Sequence, residues 1–379
     1  MHLQLYRSFK IYLRCAQLLF VAPYNVGQKR FSLSYFKQAR FLVTTCSLVW
    51  IGVCGYQAIV RFMQVPMPFF TGVLYVNEVV LCVLISIQSM GRSYSEAQRY
   101  KQFIDKILIV ALALPYAAWT EILAYVRLKL LWVCAVFTGI YSIGLFFDFL
   151  HFGSIYATLF TFGAYMLPNI LATMSLAQYC VGTVLIYQLQ QKINHQLGMG
   201  TSSITLEKAK HLYLQLDNCV ELITRSFEII IVTNVFAGIN VTSLQVLEIY
   251  QYLHAGESKA IFLTYNVLWI SLQICMLLMI LYPNDMIKRE QTRFGTILFE
   301  LSRQNEAEVQ MTRLRLLSLD RKKIVSTACG VLRLELSSLS SIFVALLSFM
   351  IILIQFDSAK LNKHNGAVTA IDSLYNPKP

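Results

Sequence analysis

Charge is scarce in this 379-residue chain: 14% of its residues are Asp, Glu, Lys or Arg, against about a quarter in an average soluble protein. With 56% of residues hydrophobic, too few polar side chains remain to coat a soluble globule. Acidic residues are the scarcer sign, 20 against 32 basic, which leaves a net charge of +12. In a soluble protein that balance would suggest nucleic acid; the missing polar surface argues against it. Eight prolines and 17 glycines are too few for a collagenous or low-complexity chain, and the apolar content excludes disorder.

Catalytic and metal-binding patterns are also missing. There is no G-x-S-x-G, no G-x-x-x-x-G-K-[ST], no H-E-x-x-H and no C-x-x-C, so neither an activated serine, a phosphate-binding loop nor a zinc site is indicated. The six histidines are scattered, and His195 and His211 read as solvated. No enzyme activity, cofactor or metal is expected. A cleavable signal peptide is not evident either, because the first apolar run lacks a small-residue cleavage site.

What the chain does have is long apolar runs. A bilayer-crossing helix needs about 20 mostly apolar residues, since unpaired backbone groups are costly in lipid. Seven runs qualify: 41–60, 69–88, about 130–147, about 156–187, 227–249, 261–282 and 338–356. The expected fold is an all-α, seven-span membrane protein. Two shorter runs compete. Residues 11–22 are broken by Arg14 and read as an interfacial helix. Residues 107–119 contain Pro115 and read as a helix continuing toward the third span; if they crossed, the count would be eight and the topology would flip midway.

The basic residues are distributed unevenly. Segments 1–40, 89–127, 188–226 and 283–337 hold 26 of the 32 Lys and Arg; 61–68, 148–155, 250–260 and 357–379 hold 5; Lys129 begins the third span. By the positive-inside rule the first group is cytoplasmic, which places the N-terminus inside and the C-terminus outside. Facing anionic headgroups, this basic side explains the +12 without nucleic acid. The predicted organisation is a cytoplasmic segment 1–40, a six-span bundle 41–283 with cytoplasmic helices in 89–127 and 188–226, a cytoplasmic region 284–337, a distinct seventh span 338–356 and an outer tail 357–379. Leu206, Ala209, Leu212, Leu216, Val220, Ile223 and Phe227 recur at helical spacing and run into the fifth span.

The nine cysteines all fall in cytoplasmic or membrane segments, so no disulfide framework is implied. The sequon Asn240-Val241-Thr242 lies inside a span. Glu78 is the one ionisable residue deep within a span. It is either a packing carboxylate bonded to Asn77 or a neighbouring helix, or a group facing a cavity.

The seventh span carries a face of small and polar residues. Ser341, Ala345, Ser348, Ile352 and Gln355 repeat at four, three, four and three. Phe343, Leu346, Leu347, Met350 and Leu353 form the bulky side. The small face suits helix packing or a pore wall gated by dewetting. A pore built from one helix per chain requires a symmetric oligomer.

Residues Ser348 to Phe356 resemble the signature of the insect gustatory receptors: Thr-Tyr, five hydrophobic residues, then Gln-Phe. Gln355 and Phe356 match fully, whereas Ser348 stands for Thr and Phe349 for Tyr, which removes one hydroxyl. Ala328-Cys329-Gly330 and the Leu-rich approach to the span are also similar to that family. The resemblance implies a ligand-gated, non-selective cation channel, a homo- or heterotetramer of related subunits whose last helix lines the pore. It implies a gate near Gln355 and Phe356, an anchor between subunits formed by 188–226 and 283–337, and residence in the plasma membrane of chemosensory neurons. The tastant, a small organic molecule, is expected in the outward half of the first six spans. Candidate contacts are Asn77, Glu78, Phe146, Tyr156, Phe160, Tyr165, Asn240, Gln245, Tyr265 and Trp269. Two other seven-span classes stand as alternatives. A G-protein-coupled receptor is disfavoured by the inside N-terminus and the lack of outer-loop cysteine, and a transporter by the lack of internal repeats.

Overall fold

The computed structural model describes residues 2–22, 34–64, 69–198, 205–254, 260–304 and 327–355. It is almost wholly helical. The elements are α1 (His2–Leu18), α2 (Ser34–Gln64), α3 (Phe69–Ser95), α4 (Ala97–Leu112), α5 (Tyr116–Phe152), α6 (Ile155–Thr161), a π-helical turn (Phe162–Met166), α7 (Leu167–Gly198), α8 (Leu206–His254) and α9 (Ala260–Gln304). A short antiparallel hairpin, β1 (Thr327–Ala328) with β2 (Leu332–Arg333), precedes the last helix, α10 (Ser338–Gln355).

Among the described residues seven helices are long and apolar enough to cross a membrane: α2, α3, α5, the unbroken rod from α6 through α7, α8, α9 and α10. They correspond in order to the seven expected spans. Several far exceed the need. At about 1.5 Å per residue, the 49-residue α8 runs roughly 74 Å, more than twice a hydrocarbon core of about 30 Å. The 45-residue α9 is nearly as long. α2 ends and α3 begins, α5 ends and α6 begins, and α8 ends and α9 begins at one end of the bundle, here the short-loop end. At the other end α7, α8 and α9 project together.

The projecting end has its own core. Of the helical stripe read from the sequence, Ala209, Leu212, Leu216, Val220, Ile223 and Phe227 are buried, and Leu206 packs half-buried against the same core. Tyr213 stacks on Phe294 with centroids 4.6 Å apart. Asn194, fully buried, donates its amide to both the carbonyl (2.8 Å) and the carboxylate (2.7 Å) of Glu290. The hairpin joins this core through Ala328 and Leu334, and Lys288 pairs with Glu335 at 2.7 Å. That bond holds the Glu335 carboxyl below its usual range, so the tie is complete above ordinary carboxylate pKa values and weakens as pH falls through the depressed one.

Prolines mark the irregularities. Residues 107–119 are not one helix leading to the third span. α4 ends at Leu112, and Pro115 begins α5 as its N-cap residue. A proline has no N–H to give to the preceding turn, so the chain turns a corner there and α5 starts well before residue 130. α5 also extends past the expected loop boundary at 148, ending on Gly153 in the left-handed conformation with φ 59°. Pro283 lies inside α9, between its apolar and polar halves. One residue on, the Asn284 amide donates to the Ile280 carbonyl (2.6 Å) and exchanges bonds with the Tyr179 hydroxyl (2.8 and 3.0 Å). The side chain thereby serves a buried hydroxyl where proline removes a ladder bond. Pro168 likewise follows the π-helical turn, which puts the wider coil at Gly163. A Cβ at Gly163 would lie 2.8 Å from Trp50 Nε1, so α2 packs directly against that turn.

Candidate functional site

Two groups of expected site residues occupy different places. The first is the exposed side of α10. Only 11% of this helix is buried inside the chain. Leu346, Met350 and Leu353 form its one buried stripe, packed on Leu74 of α3 and on Leu244 and Leu247 of α8. Ser341, Ala345, Ser348, Ile352 and Gln355 all lie exposed on the side left open, and Phe349 is exposed beside them. The Ser348 hydroxyl donates to the Val344 carbonyl at 2.9 Å, so it can line a water path without an orphaned donor. Phe356 lies outside the described residues, as does the tail.

Exposed apolar side chains such as Phe343, Val344 and Ile351 flank this face. A helix so sparsely held by its own chain relies on lipid and on other helices for the rest of its contacts. The small residues Ser341, Ala345 and Ser348 allow close approach of a neighbouring backbone.

The second group lies in the half of the bundle nearer the short-loop end. Four helices converge there: α3, α8, α9 and the rod carrying the π-helical turn. Asn77 donates to Asn240 Oδ1 at 2.7 Å, and Asn240 donates in turn to the Leu74 carbonyl at 3.1 Å. Glu78, 9% exposed, points inward one residue on. Tyr165 sits in the π-helical turn with a buried hydroxyl that has no partner. The Glu78 carboxylate is in electrostatic reach of the Tyr165 and Tyr265 hydroxyls. Tyr265 donates to Asp148 at 2.9 Å and stands edge-on to both Phe147 and Trp269. Gln245 and Asn266 are buried on the facing helices α8 and α9. The Gln245 Oε1 and both polar atoms of Asn266 lack partners.

Asn77, Glu78, Tyr165, Asn240, Tyr265 and Trp269 are therefore brought into one region, with Gln245 beside it. Phe146 is not: it is 59% exposed, and its neighbour Phe147 faces Tyr265 instead. Tyr156 is 67% exposed and stands edge-on to Phe160, which in turn meets Trp50. These two rings sit on the outer wall of the rod rather than inside it.

The structure also adds residues. Asp148 is buried at the end of α5, and Glu248, which accepts from the Tyr75 hydroxyl, lies near the end of α8. Glu78 is thus not the sole carboxylate held within the spanning helices. Asp148 falls in the segment 148–155 expected to connect two spans, and the extra turn of α5 turns it inward. Tyr141 and Thr173 share a 2.6 Å bond deeper in the same region, below the aromatic group. An alternation of aromatic rings with a few buried acceptors and donors suits a small organic ligand. Among the described residues no group of three or more His, Cys, Asp or Glu could hold a metal ion.

Comparison with known proteins agrees with this architecture. A family profile described as "7tm Chemosensory receptor" matches residues 9–360. A Drosophila melanogaster protein provisionally named gustatory receptor 59f is 24% identical over 247 residues, 62% of this chain and 58% of that protein, so the match spans little more than half of the relative's length. Among solved structures, the insect olfactory receptor OR5 from Machilis hrabei superposes with a TM-score of 0.70 at 12% identity, covering 94% of this chain and 99% of that one. The same receptor in complex with eugenol gives 0.71 at 10% identity with the same coverage. At such identities the likeness is one of fold.

Proposed function

Since the chain belongs to the 7tm chemosensory receptor family, we propose that it is a gustatory receptor subunit, a tastant-gated, non-selective cation channel. Its N-terminus is cytoplasmic and its C-terminus extracellular, in the plasma membrane of chemosensory neurons. Four copies, identical or related, surround a pore lined by α10. The observation that carries this reading is the orientation of α10. Its bulky stripe is spent on α3 and α8, and the face of Ser341, Ala345, Ser348, Ile352 and Gln355 is turned away from its own chain. Ser and Gln there would meet water, and Ile352 with Phe349 would close the path when apolar surfaces meet. The projecting ends of α7, α8 and α9, with the hairpin, supply the mass that holds subunits together.

The tastant binds among Asn77, Glu78, Tyr165, Asn240, Gln245, Tyr265 and Trp269. Coupling to the pore runs through Leu74. Its carbonyl accepts from Asn240, and its side chain packs on the buried stripe of α10. Leu244, one turn from Asn240 on α8, packs on the same stripe. A ligand that prefers a different spacing of Asn77 and Asn240 therefore shifts both supports of α10 at once. Gating then follows from differential affinity for the two spacings.

The test is current recording from cells expressing the chain, alone and with a related subunit, against a panel of small organic molecules. Asn240→Leu removes both amide bonds. It is expected to raise the half-activating concentration by about fivefold or more, the lower end of typical coupling between sites, with surface expression retained. An unchanged dose–response curve in a well-expressed Asn240→Leu channel would contradict this site.

A further inference from the structure

A cleft lies toward the projecting end, away from the tastant region. It runs beneath α1, between α4 and α7, walled by Phe9, Tyr12, Phe103, Ile104, Val181 and Leu185. Its enclosed part measures about 40 Å³, and one side is open. The floor is polar. Gln178, 1% exposed, accepts through Oε1 from Arg92 Nη2 at 3.0 Å, while its own Nε2 has no partner among the described residues.

Arg92 is the unusual residue. It is buried, donates also to the Val21 carbonyl at 2.9 Å, and lies 3.8 Å from the centroid of Phe227. Among the described residues its Nε and Nη1 have no partners. Among the described residues no carboxylate forms an ion pair with it. Glu96, which lies within its electrostatic reach, is paired with Arg99 at 3.0 Å. A buried cation of this kind is costly unless paired; the ring face offsets part of that cost.

The lining offers no anion. Burial pushes the Tyr12 and Tyr100 phenols up, so both stay neutral. The Tyr12 hydroxyl is used on the Met174 carbonyl at 2.7 Å. The slot thus presents the spare Gln178 Nε2 donor at its bottom, with the positive charge of Arg92 directly behind that amide. α1 above it carries Arg7, Lys10 and Arg14 and no acidic residue, which favours anions at the entrance as well. The enclosed volume exceeds the roughly 10–15 Å³ that one water requires. It suits a carboxylate head and leaves a tail to exit by the open side.

We propose that this cleft binds a single-chain carboxylate amphiphile drawn from the adjacent bilayer leaflet. Its head meets Gln178 Nε2 in the field of Arg92, and its tail runs along Phe9, Phe103, Ile104 and Leu185. The inference is independent of the tastant site and of conduction.

The experiment measures equilibrium binding of radiolabelled laurate to the purified full chain in neutral phosphatidylcholine nanodiscs, with empty discs subtracted. Saturable binding is expected. Gln178→Leu removes the donor and is expected to weaken binding about tenfold or more, the scale of a hydrogen bond to a charged group. Gln178→Glu places a carboxylate against Arg92, which satisfies the cation and blocks the site, so laurate binding should be lost while thermal stability is kept. If Gln178→Leu does not fold, Gln178→Glu decides. Asn240→Leu, in the other region, should bind laurate as the unaltered chain does. Dodecanol, which carries no charge, should compete poorly, and dodecyl phosphate should bind no more tightly than laurate. Undiminished laurate binding in a stable Gln178→Glu protein would overturn the proposal. So would dodecanol binding as tightly as laurate, or a preference for the phosphate, which would make this a lipid-headgroup site.

Discussion

Gly182→Leu is expected to abolish the folded receptor. Gly182 lies where α7, α8 and α4 meet, and even one added carbon there would overlap Ile223 Cδ1 and sit 3.2 Å from Phe103 Cζ. Both neighbours are fully buried, among the residues that close the core of the projecting half. A leucine needs far more room than one carbon, so α7 and α8 must separate. Overpacking costs about 1–3 kcal/mol or more, a large share of a typical domain's stability of about 5–15 kcal/mol. Gly139→Leu is the internal control. Its added carbon meets nothing within 4 Å, and leucine favours helix over glycine by somewhat under about 1 kcal/mol. Fluorescence-detected size exclusion with a thermal ramp should show Gly182→Leu aggregated or lost and Gly139→Leu unchanged. Equal profiles for the two variants would contradict the packing described for α7 on α8.

The second large effect is on conduction. Gln355 is exposed near the end of α10, on the face away from Leu346, Met350 and Leu353. In a tetramer, four copies of that amide would surround the path. Gln355→Leu replaces them with apolar groups and makes the constriction easier to dewet. The expected result is a fall in ligand-evoked current of about tenfold, equivalent to about 1.4 kcal/mol in a barrier, with surface expression unchanged because no buried contact is lost. Whole-cell recording alongside surface biotinylation checks it. An unaltered current would remove Gln355 from the pore.

The spans were legible because hydropathy and length suffice to identify a membrane helix. The stripe from Leu206 to Phe227 was legible for a similar reason, since apolar spacing alone decides which side is buried. Boundaries were harder. Pro115 was visible, but whether it bends a helix or begins one depends on the turn that α4 makes against α8. The buried charges were harder still. Asp148 and Arg92 each stand near the end of a spanning helix, where isolated charges are usually solvated. Only the extra turn of α5 brings Asp148 to Tyr265, and Arg92 is received by the distant Val21, Gln178 and Phe227. No local pattern carries that information.

The region proposed for the tastant was half legible. Asn77, Asn240, Tyr265 and Trp269 come together because polar residues inside spanning helices face protein rather than lipid. Phe146 and Tyr156 turn outward, since aromatic rings are equally at home at the lipid boundary. On α10 the repeat of small and polar residues was plain from spacing. Which side faces out was not, because that depends on Leu74, Leu244 and Leu247 of two other helices.

Cysteine modification in α10 tests the pore most directly. Ser348→Cys is a near-isosteric change at an exposed position in the middle of the small face. In cells expressing a conducting Ser348→Cys channel, a membrane-impermeant, positively charged thiol reagent applied in the presence of ligand should suppress the current by about tenfold, as a fixed cation repels permeant cations in a narrow path. The unsubstituted chain, with its nine native cysteines, should be unaffected. Full modification of Ser348→Cys with no change in current would contradict a pore lined by α10.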